Sequence, residues 1–189
     1  MSRKYLTDLK MSIDDEFPAN LPLTRKAIVQ VKGGMTIQDI PLPPVQPLNI
    51  LVKTVAVALN PTDYKTAQNF PSPGATVGCD FSGIVIYIGE EAARNPQPWK
   101  VGDRVCGPIH GSNPIDHAGG AFAEYVQTPA DLVMRIPDSI SWEDGAAIGG
   151  TGHGSLCLGL WEYLNVPGRP EKPAKDPEYV LVYVRTLLK

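Results

Sequence analysis

An acidic and a basic side chain stand two residues apart in Val57-Ala-Leu-Asn-Pro-Thr-Asp-Tyr-Lys65, and a glycine-bounded loop, Gly78-Cys-Asp-Phe-Ser-Gly83, follows shortly after. Asp63 can accept hydrogen bonds, Lys65 can donate them and carries a charge, and Thr62 and Tyr64 add hydroxyls. Such a set binds and orients a polar ligand when a rigid element presents it from a loop. The plainer alternative is an ordinary strand–turn–strand link whose polar residues only meet water. Two further groups could do chemistry. Cys79, His110 and His117 could gather around a metal, but no pair among them has zinc-ligand spacing, and three scattered cysteines (79, 106 and 157) cannot form a four-cysteine site. A metal-free site is therefore expected. His153, in Gly149-Gly-Thr-Gly-His-Gly154, is a candidate acid by residue type. The plainer reading makes it a surface histidine in a helix break.

Rigid elements must hold the first set. Ile50 to Leu59 is an apolar run that reads as a strand, and Asn60-Pro61 initiates a turn because a residue before proline avoids the helical region. Thr62 or Asp63 is expected to cap a short helix after it. Gly83-Ile-Val-Ile-Tyr-Ile-Gly89 reads as the next strand. Upstream, Lys26–Val31 and Thr36–Ile40 flank a Lys32-Gly-Gly-Met35 hairpin turn, and Pro41 to Pro47 is a connector too rich in proline for a sheet interior. Downstream, Val101–Gly107, Gly119–Thr128 and Asp131–Pro137 read as strands separated by loops. About seven short strands divided by sharp turns, in a chain with 18 glycines and 19 prolines, point to a barrel or sandwich.

The pattern changes after Asp138. Ser141 is a candidate N-cap, with Glu143 and Asp144 in the first turn where acids suit the helix dipole. The glycine run 149–154 is expected to interrupt that helix. Ser155 to Leu164 then reads as an apolar, largely buried helix, and Glu178–Val184 as a continuous apolar strand of the parallel-sheet kind. The expected organisation is a loose arm over 1–23, a β-rich domain over 24–138, and the start of a further domain over 139–189.

Composition narrows the function classes. A chain of 189 residues with 43% hydrophobic and 20% charged residues is globular in type, and a net charge of −3 without a basic stripe gives no nucleic-acid footprint. No apolar run is long enough to span a membrane, and the charged start Met1-Ser-Arg-Lys-Tyr5 lacks a secretory apolar region. With an odd number of distant cysteines, a reducing cytoplasmic setting is expected.

Five motifs in order carry a resemblance: Val57-Ala-Leu-Asn-Pro-Thr-Asp-Tyr-Lys65, Gly78-Cys-Asp-Phe-Ser-Gly83, Val101-Gly-Asp-Arg-Val105, Gly120-Ala-Phe-Ala-Glu-Tyr125 and Ile136-Pro-Asp138. Together they resemble the chaperonin-10-like (GroES-like) barrel of the zinc-independent medium-chain dehydrogenase/reductases, most of all the fungal trans-acting enoyl reductases that serve iterative polyketide synthases. The resemblance implies a mainly β GroES-like barrel followed by the first helix and strand of an incomplete Rossmann α/β domain. It implies NADPH as cofactor, with Thr62, Asp63, Tyr64 and Lys65 against the nicotinamide half and Lys65 near the reacting centre. It implies an acyl pocket lined by Thr151, Gly154, Ser155, Leu156, Leu158, Gly159, Leu160 and Trp161. Gly154 matches a position where the family has a threonine close to the substrate carbonyl; Ser155 lies beside it and Thr151 one turn upstream.

The implied activity is reduction of an α,β-unsaturated acyl-carrier thioester of a growing polyketide. In the family a phosphate-binding loop follows the strand matching Tyr179–Tyr183, whereas here Val184-Arg-Thr-Leu-Leu-Lys189 follows, so a truncated cofactor site is expected. The alternatives are a catalytically impaired barrel that binds a synthase or acyl chain without cofactor, and a cofactor-free protein that guides a cyclisation. The apolar faces of 155–164 and 179–184 are expected to drive self-association.

Overall fold

The computed structural model describes residues 21–94, 98–176 and 179–181. Seven strands alternate with three short helices in the order β1 (Thr24–Val31), β2 (Gly34–Pro41), β3 (Asn49–Ala58), α1 (Pro61–Asn69), β4 (Asp80–Ile88), β5 (Arg104–Pro108), β6 (Tyr125–Pro129), β7 (Met134–Arg135), α2 (Trp142–Ile148) and α3 (Thr151–Cys157). A single 3₁₀ turn, Ala92–Arg94, lies in the loop after β4, and a π-helical stretch, Leu158–Tyr163, continues from α3.

β1 and β2 form the expected antiparallel hairpin, closed around Lys32 and Gly33. The other strands make a five-stranded antiparallel sheet in the order β6-β3-β4-β5-β7. The hairpin is stitched to the larger sheet's connections by isolated bridges, Ala27 with Ala123 and Val29 with Thr76. The Ile28 N–H donates to the Phe122 carbonyl at 2.8 Å and the Val77 N–H to the Ile28 carbonyl at 2.9 Å. β1 thus has partners on both sides, while β2 is exposed along most of its length.

β3 is the spine. Its first half, Ile50, Leu51 and Val52, is fully buried, as its continuous apolar run predicts, and its second half alternates. Register shifts at Leu51/Val52 and at Thr54/Ala56 mark bulges that bend the strand. The main core gathers Ile50, Val52, Phe81, Val85, Val105 and Val126 with Trp99, whose indole N–H donates to the Ala130 carbonyl at 2.9 Å.

Three expected strands are shorter or shifted. Residues 119–124 are not a strand: their backbone groups bond instead to Lys26, Ile28, Val77 and Gly78, so regular pairing begins only at Tyr125. The last strand shrinks from 131–137 to Met134–Arg135, and β5 begins at Arg104 because Val101 and Gly102 form the preceding turn.

α2 starts as predicted. Ser141 Oγ accepts the Asp144 N–H at 3.0 Å, and Glu143 and Asp144 occupy the first turn. Arg104 fixes its approach, stacking 4.2 Å from the Trp142 ring and donating to the Ile140 carbonyl at 2.8 Å. The glycine run behaves differently from expectation. Only Gly149 and Gly150 interrupt the helical path, and α3 resumes at Thr151, inside the run.

The chain divides into two compact units between Thr151 and Gly152. In the second, the stretch 155–164 is not largely buried as expected: Leu156, Leu158, Tyr163 and Leu164 are each more than half exposed. Among its described residues there is only a short Arg169/Lys172 bridge and no sheet to cover an apolar helix face. Of the expected strand 178–184, residues 179–181 are in no strand and the others lie outside the described residues.

Candidate active site

The site is built at the C-terminal end of β3. Asn60 caps α1 from an extended backbone (φ −120°, ψ 150°), and Pro61 supplies a fixed φ with no N–H to orphan. The cap is Asn60, not Thr62 or Asp63 as expected. Asp63 instead stands at the third helical position, where its carboxylate accepts the Asn60 N–H at 2.7 Å. The signal was present in the order Asn-Pro-x-Asp.

This cap divides the four expected cofactor residues. Asp63 points inward and is buried. Thr62 is half-buried, with its hydroxyl 3.1 Å from that of Thr66, and Lys65 is exposed three positions on, so Thr62, Lys65 and Thr66 share one helix face. Tyr64 is exposed and lies around the helix from Thr62, given the two-residue separation. No hydrogen bond or ion pair engages Lys65 among the described residues.

Beneath α1 lies a residue that the sequence reading did not single out. Asp80, the first residue of β4, is 1% exposed. Its Oδ2 accepts from Asn60 Nδ2 at 2.9 Å. Its Oδ1 accepts from both the N–H and the hydroxyl of Thr151, each at 2.9 Å. Thr151, expected in the acyl pocket, is therefore tied to the same carboxylate as the α1 cap.

Next to it, burial pushes the Cys79 thiol up to about 12, the adjacent Asp63 and Asp80 carboxylates add to the rise, and a backbone hydrogen bond from Gly111 opposes it. A thiol held protonated beside two acids is a poor nucleophile. Among the described residues no three His, Cys, Asp or Glu side chains are grouped to hold a metal ion, so Cys79, His110 and His117 do not assemble a site. His117 instead pairs with Ser72, Nε2 to Oγ, at 3.1 Å.

The loop carrying Cys79 is closely clasped. Gly78 adopts φ +99°, and a Cβ built there would lie 2.3 Å from the Phe122 ring; one on Gly111 would lie 2.1 Å from the Gly78 carbonyl. Glycine is needed at both for the loops to meet this closely. An open apolar groove of about 440 Å³, lined by Ile28, Ile37, Val57, Leu59 and Phe122 among others, borders this end of β3. A larger cavity of about 560 Å³, between Leu48, Arg94 and Leu132, lies at the opposite end of β3.

The remaining expected substrate residues lie in the second unit. Gly154, Ser155 and Leu156 are on α3, with the His153 ring 3.4 Å from Cys157 Sγ one turn on. Leu158, Gly159, Leu160 and Trp161 form the π-helical stretch, closed by Leu164 N–H to the Gly159 carbonyl at 3.1 Å. Wide turns of this kind recur at functional sites.

Comparison with known proteins bears on this antiparallel sheet with a capped helix at the end of its central strand and a glycine-clasped loop beside it. Residues 46–138 match the alcohol dehydrogenase GroES-like domain. The quinone oxidoreductase of Coxiella burnetii aligns with a TM-score of 0.59 at 28% identity, over 76% of this chain and 46% of that one. In these comparisons the chain resembles the zinc-independent medium-chain dehydrogenase/reductases. Within them it is similar to fungal trans-enoyl reductases. It is 47% identical over 170 residues to trans-enoyl reductase ccsC of Aspergillus clavatus, covering 88% of this chain and 47% of that protein. It is 46% identical over 167 residues to trans-enoyl reductase poxP of Penicillium oxalicum, covering 87% and 44%. The chain thus spans about half the length of the curated relatives it matches.

Proposed function

We propose that this chain carries the barrel part of an NADPH-dependent trans-acting enoyl reductase. Its substrate is the α,β-unsaturated acyl-carrier thioester of a growing polyketide, presented in the cytoplasm by an iterative polyketide synthase. One observation carries the reading: the first turn of α1, in a chain 40–47% identical to trans-enoyl reductases, sets Thr62 and Lys65 outward on one face, above the Asp63–Asn60–Asp80 hydrogen bonds that fix the helix start.

The donor set fits a nicotinamide. Thr62 offers a hydroxyl and Lys65 a charge that no neighbour among the described residues neutralises, while Tyr64 stands on another face of α1. NADPH, when bound, supplies the hydride. Addition at the β-carbon builds negative charge on the thioester oxygen, and the Lys65 ammonium stabilises that charge. Asp63 acts through Asn60: by capping α1 it fixes the helix start and so the reach of Lys65. Thr151 is held by Asp80, and the resemblance assigns the acyl chain to Gly154, Ser155, Leu156, Leu158, Gly159, Leu160 and Trp161 of the second unit.

Titrating the chain with NADPH while following cofactor fluorescence, then adding a crotonyl pantetheine thioester, tests the reading. Saturable micromolar binding followed by thioester-dependent NADPH loss is the expected result. Absence of both overturns it and favours a barrel that binds without cofactor.

A further inference from the structure

We propose that Asp80 is a positioning residue that couples the start of α1 to the start of α3, so that Thr62 and Lys65 keep a fixed relation to Thr151. A buried carboxylate is costly unless it is fully hydrogen-bonded or paired. Asp80 has no cationic partner among the described residues; three donors satisfy it, one from Asn60 and two from Thr151. These partners are 20 residues before it and 71 after it, and neither bond is part of a sheet ladder.

Asp80 is itself immobilised. It pairs with Ala58 of β3 on one side and Pro108 of β5 on the other. The two helices leave the sheet at these same places: α1 begins three residues after Ala58, and the Gly149-Gly150 link runs along Gly107 and Pro108. A Cβ on Gly150 would lie 2.4 Å from Pro108 Cβ and 2.9 Å from Asp80 Oδ1. The glycine pair that looked like a simple helix break is therefore where the backbone approaches the carboxylate. Asn60, the other partner, is also the cap that Asp63 completes. One carboxylate thus joins the wall that carries Lys65 to the residue that opens the expected substrate helix.

The catalytic meaning of this coupling rests on the enoyl-reductase reading; the coupling itself does not. Hydrogen exchange followed by mass spectrometry on the full chain separates them, comparing Asn60→Ala, Thr151→Val, Asp80→Asn and Asp80→Ala. Asn60 and Thr151 both donate to Asp80, one to each carboxylate oxygen. Asn60→Ala is expected to speed exchange about threefold or more in the peptide starting at Thr151 as well as in 61–66, and Thr151→Val to do the converse, while β3 50–52 stays unchanged. Asp80→Ala speeds both segments about tenfold. Asp80→Asn keeps an acceptor for Thr151 and can donate to a flipped Asn60 carboxamide, so it restores most of the protection.

Effects confined to the segment carrying each substitution, or spread evenly over the barrel, overturn the proposal, as does Asp80→Asn behaving like Asp80→Ala. If Asp80→Ala does not fold, the Asn60 and Thr151 variants still decide. In turnover assays Asn60→Ala lowers kcat with KM nearly unchanged. A wild-type chain without turnover defeats the functional reading and leaves the exchange result to judge Asp80.

Discussion

Four glycine-to-alanine substitutions separate conformational strain from steric contact around the loop that carries Cys79 and Asp80. Gly34 has open space and ordinary φ; Gly102 has open space but φ +98°; Gly111 has ordinary φ but a Cβ position 2.1 Å from the Gly78 carbonyl oxygen and 2.6 Å from the Gly78 nitrogen; Gly78 combines φ +99° with the Phe122 ring at 2.3 Å. Every replacement stiffens the unfolded chain and so stabilises by roughly 0.4–1 kcal/mol. Left-handed backbone costs an alanine about 1–2 kcal/mol. Overpacking costs about 1–3 kcal/mol or more, and here the obstacle at Gly111 is backbone, which must retreat by over an ångström to reach an ordinary contact. Gly34→Ala should therefore be near neutral and Gly102→Ala lose about 1 kcal/mol net. Gly111→Ala should lose about 2 kcal/mol or more, and Gly78→Ala about 2–4 kcal/mol, softened only if the Phe122 ring can swing. Urea midpoints at constant m-value read the order directly. If Gly111→Ala were as harmless as Gly34→Ala, the loops of Gly78 and Gly111 would not touch, and the clasp around Cys79 and Asp80 would be wrong.

Lys65→Met should lower turnover on a crotonyl thioester about 10²–10³-fold, the loss typical of removing one charge-stabilising donor; unchanged turnover would remove Lys65 from the chemistry. Cys79 should be alkylated at pH 8 far more slowly than in urea, because burial and two neighbouring acids raise its thiol to about 12. The sign of the linkage follows: above pH 9 the unfolded chain loses this proton first, so stability falls as pH rises from about 9 toward 12, and a midpoint that climbs over that window would contradict the assignment. Ser141→Ala removes the acceptor for the Asp144 N–H and should cost about 1 kcal/mol in a denaturation midpoint. Leu156, Leu158, Tyr163 and Leu164 are exposed together in the second unit, so sedimentation velocity should show concentration-dependent association; a monomer across the accessible range would count against that.

Elements whose causes lie within a few residues were legible in the sequence. The β1–β2 hairpin follows from Gly33-Gly34 between alternating strands, β3 from its apolar run, and α2 from Ser141 and its acidic first turn. Elements settled by distant partners were not. Residues 119–124 look like strand, but their backbone is claimed by β1 and by Val77 and Gly78, so the ladder starts late. α3 begins inside a glycine run, against a helix penalty of about 1 kcal/mol per glycine, because a carboxylate 71 residues away receives its first N–H. The burial expected of 155–164 failed because an apolar pattern states a preference for cover without supplying it.

The candidate site shows the same division. The motif 57–65 marked where a ligand-facing turn would be, and Thr62 and Lys65 do share an outward face. Asp63 carries the same charge at the same turn and yet points inward, because third position after an asparagine cap makes its carboxylate the best available partner for the Asn60 N–H. Residue type alone could not separate these two roles; the position relative to the cap does. The same reasoning accounts for Asp80 over Cys79 as the chemically consequential residue of the glycine loop. The thiol is neutralised by its surroundings, whereas the carboxylate stays useful because three donors converge on it, and those donors come from the two helices on which the proposed chemistry depends.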